Sequence, residues 1–238
     1  MIEQVSCCFD TNSESSVKTT KKDIIKSNLI FNGKEMEMEV YAWDELISNQ
    51  IKIHKTFYES HLLFYLLDTY PQQRCIIDIG ANIGNHTTFF AEFMNAEKIH
   101  AFEPHPMNFQ LLVKNTTKYP EVERYKIALG CRQGKGNITT QLRNMGDVCV
   151  TEDENGDVEI LTLDAFNFSD VSMIKIDAEG SENKILEGSM ETLSKCKPIL
   201  MIEWRSIDVI YIGMQVLSQL GYVITAVLHD WNFILQCP

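Results

Sequence analysis

From Pro71 onward the chain alternates short, nearly unbroken apolar runs with segments of helical period, and no other feature constrains the fold as tightly. The runs are Arg74–Gly80, Lys98–Pro104, Val122–Leu129, Ser172–Gly180, Pro198–Trp204 and, at the end, YVITAVLHD and NFILQCP. Between them, helical spacing covers Thr87–Met94, Met107–Asn115, a stretch running through Leu193, and Ile207–Leu220. A strand that is apolar at successive positions buries both of its faces, which requires helices above and below a mostly parallel sheet. The expectation is therefore a doubly wound α/β domain over 71–238 with a sheet of seven strands.

Two segments depart from this rhythm. Residues 1–70 hold a polar, Ser/Thr/Lys-rich arm over 1–23, an Asn32-Gly33 turn followed by alternation at Met36, Met38 and Val40, and a helical run from Phe57 that stops before Pro71. These features predict a small α+β cap with a hairpin and a helix. Residues 131–163 interrupt the strand–helix alternation, and Asn155-Gly156 between two alternating runs predicts an inserted β-hairpin there. Six acids of the insert (Asp147, Glu152, Asp153, Glu154, Asp157 and Glu159) form a run without a base. Such a run is usually a solvated face; here it is also a candidate border of the substrate opening.

Composition narrows the function classes. With Lys+Arg 21 against Asp+Glu 33, the net charge is −12, which opposes binding to nucleic acid or anionic lipid. Seven cysteines, odd in number and without metal-ligand spacing, point to free thiols in a reducing compartment. The N-terminal residues lack the charged and apolar regions of a secretory signal, and no run reaches the length of a membrane span. The expected location is cytoplasmic.

The chemistry concentrates in DIGANIGNH, residues 78–86, which follows a strand and opens a helix. Ligands of open α/β sheets bind beyond the carboxyl ends of the strands, where the strand order reverses. Gly80 and Gly84 permit a tight turn and close approach to a ligand. The spacing is G-x-x-x-G rather than the G-x-G-x-x-G of dinucleotide sites, so the pyrophosphate fingerprint is missing. Asp78 ends one strand and suits a cationic amino group, while Glu103 ends the next and can accept hydrogen bonds from ribose hydroxyls. An acid–loop–acid layout fits an adenosyl ligand bearing an amino acid.

DIGANIGNHT, AFEPHPMNFQLLVKN, IALG, TLDAF, IKIDAEGSENKILEG and a Pro-led strand ending in IEW occur in that order over about residues 74–204. This series resembles the FkbM family of S-adenosylmethionine-dependent methyltransferases. The resemblance implies a Rossmann-like class I methyltransferase fold whose last strand is antiparallel, and O-methylation of a sugar, glycan or related small-molecule partner. It also implies S-adenosyl-L-methionine as cofactor, with Asp78, Gly80, Asn82, Gly84 and Asn85 around its methionine part. Glu103 would hold the ribose, with Pro104, His105 and Asn108 beside it, and Ala128 and Leu129 would lie near the adenine.

Methyl transfer is an in-line displacement, in which a protein positions the partners and takes a proton from the acceptor. Alternation puts Lys175, Asp177 and Glu179 on one side of the chain, away from Ile174 and Ile176. Asp177 is the first candidate base, Glu179 the second and His86 the third. Glu203 could hold an acceptor hydroxyl or join Asp177 around a divalent ion, though no metal is expected. Glu59 of the FYE segment could face the active site from the cap helix, although an exposed helix carboxylate is the commoner case, and Asp164 reads as a helix cap. Two rival readings stand beside methyl transfer: an NAD-dependent oxidoreductase of Rossmann type, weakened by the missing fingerprint, and a catalytically silent adenosyl-binding module.

Overall fold

The computed structural model describes residues 23–141, 144–229 and 231–238; almost all of the expected N-terminal arm lies outside them. The described chain opens with an antiparallel hairpin, β1 (Ile24–Phe31) and β2 (Lys34–Tyr41), followed by α1 (Ile47–His54) and α2 (Ser60–Thr69). In β1, Leu29 and Phe31 are buried, and in β2 Met36, Met38 and Val40 are, as the alternation predicts. The α1 helix was not apparent in the sequence. It is held at its start by Asp44, whose carboxylate accepts the Ser48 N–H at 2.7 Å.

The alternating unit follows: β3 (Cys75–Ile79), α3 (Asn85–Phe93), β4 (Lys98–Phe102), α4 (Pro106–Thr116) and β5 (Val122–Tyr125). The chain then enters a separate sheet through β6 (Ala128–Leu129), β7 (Gly134–Gln141), β8 (Asn144–Glu152) and β9 (Val158–Leu161). It returns with β10 (Met173–Ile176), α5 (Glu182–Glu187), α6 (Met190–Cys196), β11 (Ile199–Glu203), α7 (Ile207–Leu217), β12 (Val223–Leu228) and β13 (Asn232–Gln236). The central sheet has the order β12-β13-β11-β10-β3-β4-β5, and β13 alone runs antiparallel to its neighbours. Among the described residues no helix is long and apolar enough to cross a membrane.

Burial on both faces of the sheet follows the period of two. Ile76, Ile99, Ala101, Met173 and Met201 turn to a core shared with α3, α4 and the N-terminal cap. Ile77, Ile79, Phe102, Ile174, Ile176 and Ile202 turn to the opposite core, against α5, α6 and α7. The cap is thus packed onto one sheet face, with Phe31 and Phe57 in edge contact with Phe89 of α3.

Three details differ from the sequence expectation. The run Val122–Leu129 is two strands, because after Tyr125 the chain leaves the central sheet and Ala128 pairs with Ile160 of β9. The segment after Asp177 is two helices; Asp164 accepts the N–H groups of Glu191 and Thr192 at 2.9 and 2.8 Å, which starts α6 afresh. Finally, the strands flanking Asn155-Gly156 do not pair with each other: β8 pairs with β7, while β9 crosses over to lie between β6 and β7. Gly156 sits directly on the start of β7, where a Cβ would come within 2.2 Å of the Gly136 carbonyl oxygen. That contact carries the chain across β7 instead of back along β8.

Candidate active site

The strand order reverses between β3 and β10, so the carboxyl ends of these strands and of β4 and β11 converge on one cleft. Register then sets its charges. Lys175 of β10 lies opposite Asp78 of β3, the turns beyond β4 and β10 bring in Glu103 and Asp177, and β11 ends at Glu203. The cleft encloses about 930 Å³, part of it open to solvent. The cap contributes Glu59 to its wall, and β8 contributes Val148 and Val150.

Lys175 is 2% exposed; its ammonium donates to the Gly80 carbonyl at 2.9 Å and lies 3.3 Å from Asp78 and 3.5 Å from Asp177. Burial works against its charge, but the two carboxylates outweigh it and raise the lysine pKa. Asp78 is fully buried and accepts from the Thr87 hydroxyl at 2.6 Å. Gly80 has φ +75, and a Cβ there would lie 1.7 Å from the Asp177 carbonyl oxygen, so no other residue allows the two turns to touch.

Glu103 is 3% exposed, and its carboxylate accepts the N–H groups of Asn82 and His105, each at 2.8 Å. Burial pushes its pKa up to about 7 in spite of those bonds. For Asp177, burial also pushes upward, yet Lys175 and a hydrogen bond from Glu203 hold it below the usual carboxylate range. Burial and the charge of Asp177 push Glu179 up to about 8 and Glu203 up to about 9. Arg205 binds both carboxylates: it pairs with Glu179 through both terminal nitrogens and reaches Glu203 at 3.1 Å. Asp177, Glu179 and Glu203 each bring an oxygen within 4.8 Å of the others, a spacing open to a divalent cation; Arg205 and Lys175 already supply counter-charge there.

Of the residues singled out in the sequence, Gly80, Asn82, Asn85, His86, Glu103, Pro104, Ala128, Leu129, Asp177 and Glu179 line the cleft. Asp78, Gly84 and Asn108 do not; they stand behind its wall. Asp78 serves Lys175 and Thr87, Gly84 precedes the first turn of α3, and Asn108 binds the Met145 carbonyl and the Tyr41 hydroxyl. The Asn85 side chain is committed to the cap, exchanging two hydrogen bonds with the Tyr58 backbone at 3.0 and 3.1 Å. His105 caps α4, its Nδ1 accepting the Asn108 N–H at 3.4 Å. Most of the insert's acids are exposed, and apolar Val148 and Val150 face the cleft instead. Sequence reasoning missed Arg205, although a cation just beyond IEW was a usable signal; of the two alternatives for Glu59 the cleft-facing one holds, its side chain being 8% exposed.

Fold and cleft together define a doubly wound α/β protein with a cleft at the switch point of its sheet. The model of the FkbM methyltransferase domain matches residues 78–224, and the chain belongs to that family. Among solved structures it is similar to the methyltransferase FkbM of Methylobacillus flagellatus KT, with 22% identity and a TM-score of 0.51 over 69% of this chain and 43% of that one. A Pyrococcus horikoshii protein assigned as a transferase matches with a TM-score of 0.50 and 12% identity over 90% of this chain and 70% of that one. The chain thus spans less than half the length of the FkbM structure it matches. A comparison with curated proteins yields no match.

Proposed function

We propose that the chain transfers a methyl group from S-adenosylmethionine to a hydroxyl of a neutral, polyhydroxylated acceptor such as a sugar or glycan. The carrying observation, beside family membership, is the carboxyl-rich lining of the cleft: five such side chains (Glu59, Glu103, Asp177, Glu179 and Glu203) against Lys175 and Arg205, both already paired with them. Such a lining offers hydrogen-bond partners to hydroxyls and to an ammonium, and with both cations already engaged it disfavours phosphates or carboxylates on the acceptor. It also disfavours the pyrophosphate of NAD. Glu103 would accept from the ribose, Phe102, Pro104, Ala128 and Leu129 would enclose the adenine, and Gly80 and Asn82 would border the methionine part. When bound, the cofactor supplies an electrophilic methyl carbon.

The chain's own residues then have to hold the acceptor and take its proton. Asp177, kept ionised by Lys175, is a weak base but a good acceptor of hydroxyl hydrogens, so we assign it with Glu203 to holding the substrate. Glu179 is engaged by Arg205. The proton therefore falls to His86, which lines the cleft at the start of α3. Incubation with methyl-labelled S-adenosylmethionine and an extract of neutral sugars and glycolipids should label a neutral species. Label found only in phosphorylated or protein fractions would overturn the acceptor class, and binding without transfer would favour the silent module. His86→Asn should cut turnover by about 10²–10⁴-fold, whereas Asp177→Asn should mainly raise the acceptor KM.

A further inference from the structure

We propose that Glu59 is a positioning residue for His86: it holds the Nε2 proton of the imidazole and leaves Nδ1 to receive the proton of the acceptor. The inference rests on the reading of His86 as base and adds a residue from outside the segment that the family model matches, 78–224. Glu59 Oε2 lies 3.3 Å from His86 Nε2, with the two side chains 8% and 7% exposed. Nε2 is sealed from solvent and makes no hydrogen bond among the described residues, so the carboxylate is the group that faces it. A buried imidazole nitrogen opposite a carboxylate carries the ring proton, since the alternative sets a lone pair against a negative charge. The neutral ring is then a base at its other nitrogen, Nδ1.

The backbone shows that this placement is imposed. Glu59 has φ +55, a left-handed conformation that costs a non-glycine residue on the order of 1–2 kcal/mol. Lys55 and Lys197, also left-handed, end helices, where that conformation is common; Glu59 instead precedes the first turn of α2. Its carboxylate does not cap that helix. It turns away to His86, and its other oxygen accepts from Asn232 Nδ2 at 3.3 Å. The turn is pinned next to its target, because the two Tyr58–Asn85 hydrogen bonds join the residues immediately preceding Glu59 and His86. Two segments of the chain are thus clamped so that one carboxylate meets one imidazole at the edge of the cleft.

The test is the tautomer of His86 in the full chain, read at alkaline pH from two-bond ¹H–¹⁵N correlations with ¹⁵N-labelled histidine and assigned with His86→Asn. The wild-type ring should be the Nε2–H form, and Glu59→Met and Glu59→Ala, both without an acceptor, should each shift it toward Nδ1–H. A wild-type ring protonated on Nδ1 overturns the proposal without any variant, as does an unchanged tautomer in whichever variant folds. In methyl transfer, Glu59→Met should lower kcat by about 10²-fold, and should add nothing in the His86→Asn background. Full turnover by His86→Asn would instead refute the assignment of the base, while the tautomer measurement tests the role of Glu59 separately.

Discussion

Glu103→Gln should remove about a tenfold pH dependence from the affinity for S-adenosylmethionine. The Glu103 carboxyl is buried at the end of the cleft proposed for the adenosyl group, and burial raises its pKa to about 7. A ribose diol donates hydrogens, so it favours the ionised form, which accepts at every lone pair. With a pKa of about 7, roughly 90% of the protein carries that form at pH 8 and roughly 10% at pH 6. The apparent Kd should therefore rise about tenfold from pH 8 to pH 6, or about 1.4 kcal/mol. Binding at pH 7 should release about half a proton, which calorimetry in buffers of different ionisation enthalpy counts directly.

The same group makes a second, opposite contribution to the stability of the fold. Its folded pKa lies above the ordinary 4.5, so the folded state binds the proton more tightly than the unfolded chain. That stabilisation is complete below pH 4.5 and is lost as the pH climbs through 7, a change of about 3 kcal/mol. Gln cannot ionise, so the difference in stability between wild type and variant should shift in the variant's favour across that window. The amide oxygen replaces only one of the two acceptors for the Asn82 and His105 N–H groups, which costs about 1–3 kcal/mol at every pH. The informative quantity is therefore the ratio of the two Kd values across pH. A ratio constant from pH 6 to pH 8 would refute both the ribose assignment and the raised pKa.

Two further substitutions probe the frame of the site. Lys175→Met leaves the carboxylates of Asp78 and Asp177 without their shared cation, and urea unfolding should show a loss of about 3–5 kcal/mol; a loss under about 1 kcal/mol would mean that Lys175 does not carry its charge in the fold. Gly80→Ala places a methyl group inside the Asp177 carbonyl at a positive φ, so thermal unfolding and cofactor calorimetry should both show a defect, and a variant that keeps both would contradict the close approach of the two turns.

Much of the frame was legible because it is written in neighbouring residues. The pattern of CIIDI, IHAF, MIKI and ILMIE states that both faces of each strand are buried, and Gly80 to Gly84 marks the turn into α3. Strand ends could be read as well, so Glu103, Asp177 and Glu203 were placed at one edge of a sheet from the sequence alone. The insert was harder. Asn155-Gly156 does form a turn, in which Asp153 accepts the N–H groups of Asn155 and Gly156. Which strand the chain pairs with after a turn is a matter of distant partners, and β7 won over β8.

What the tertiary structure alone decided is the charge state and partnership of each site residue. Asp78 and Lys175 come from two strands nearly a hundred positions apart, and their register makes Lys175 a buried counter-ion where alternation showed only its side of the chain. Glu59 and His86 meet because a cap hairpin and helix pack on α3, a contact for which neither segment carries a local signal. Periodicity and turn chemistry act over a few residues, so the sequence determines faces, ends and turns. Proton affinity depends on burial and on charges within a few ångströms, and those are supplied by whatever remote segment the fold brings close.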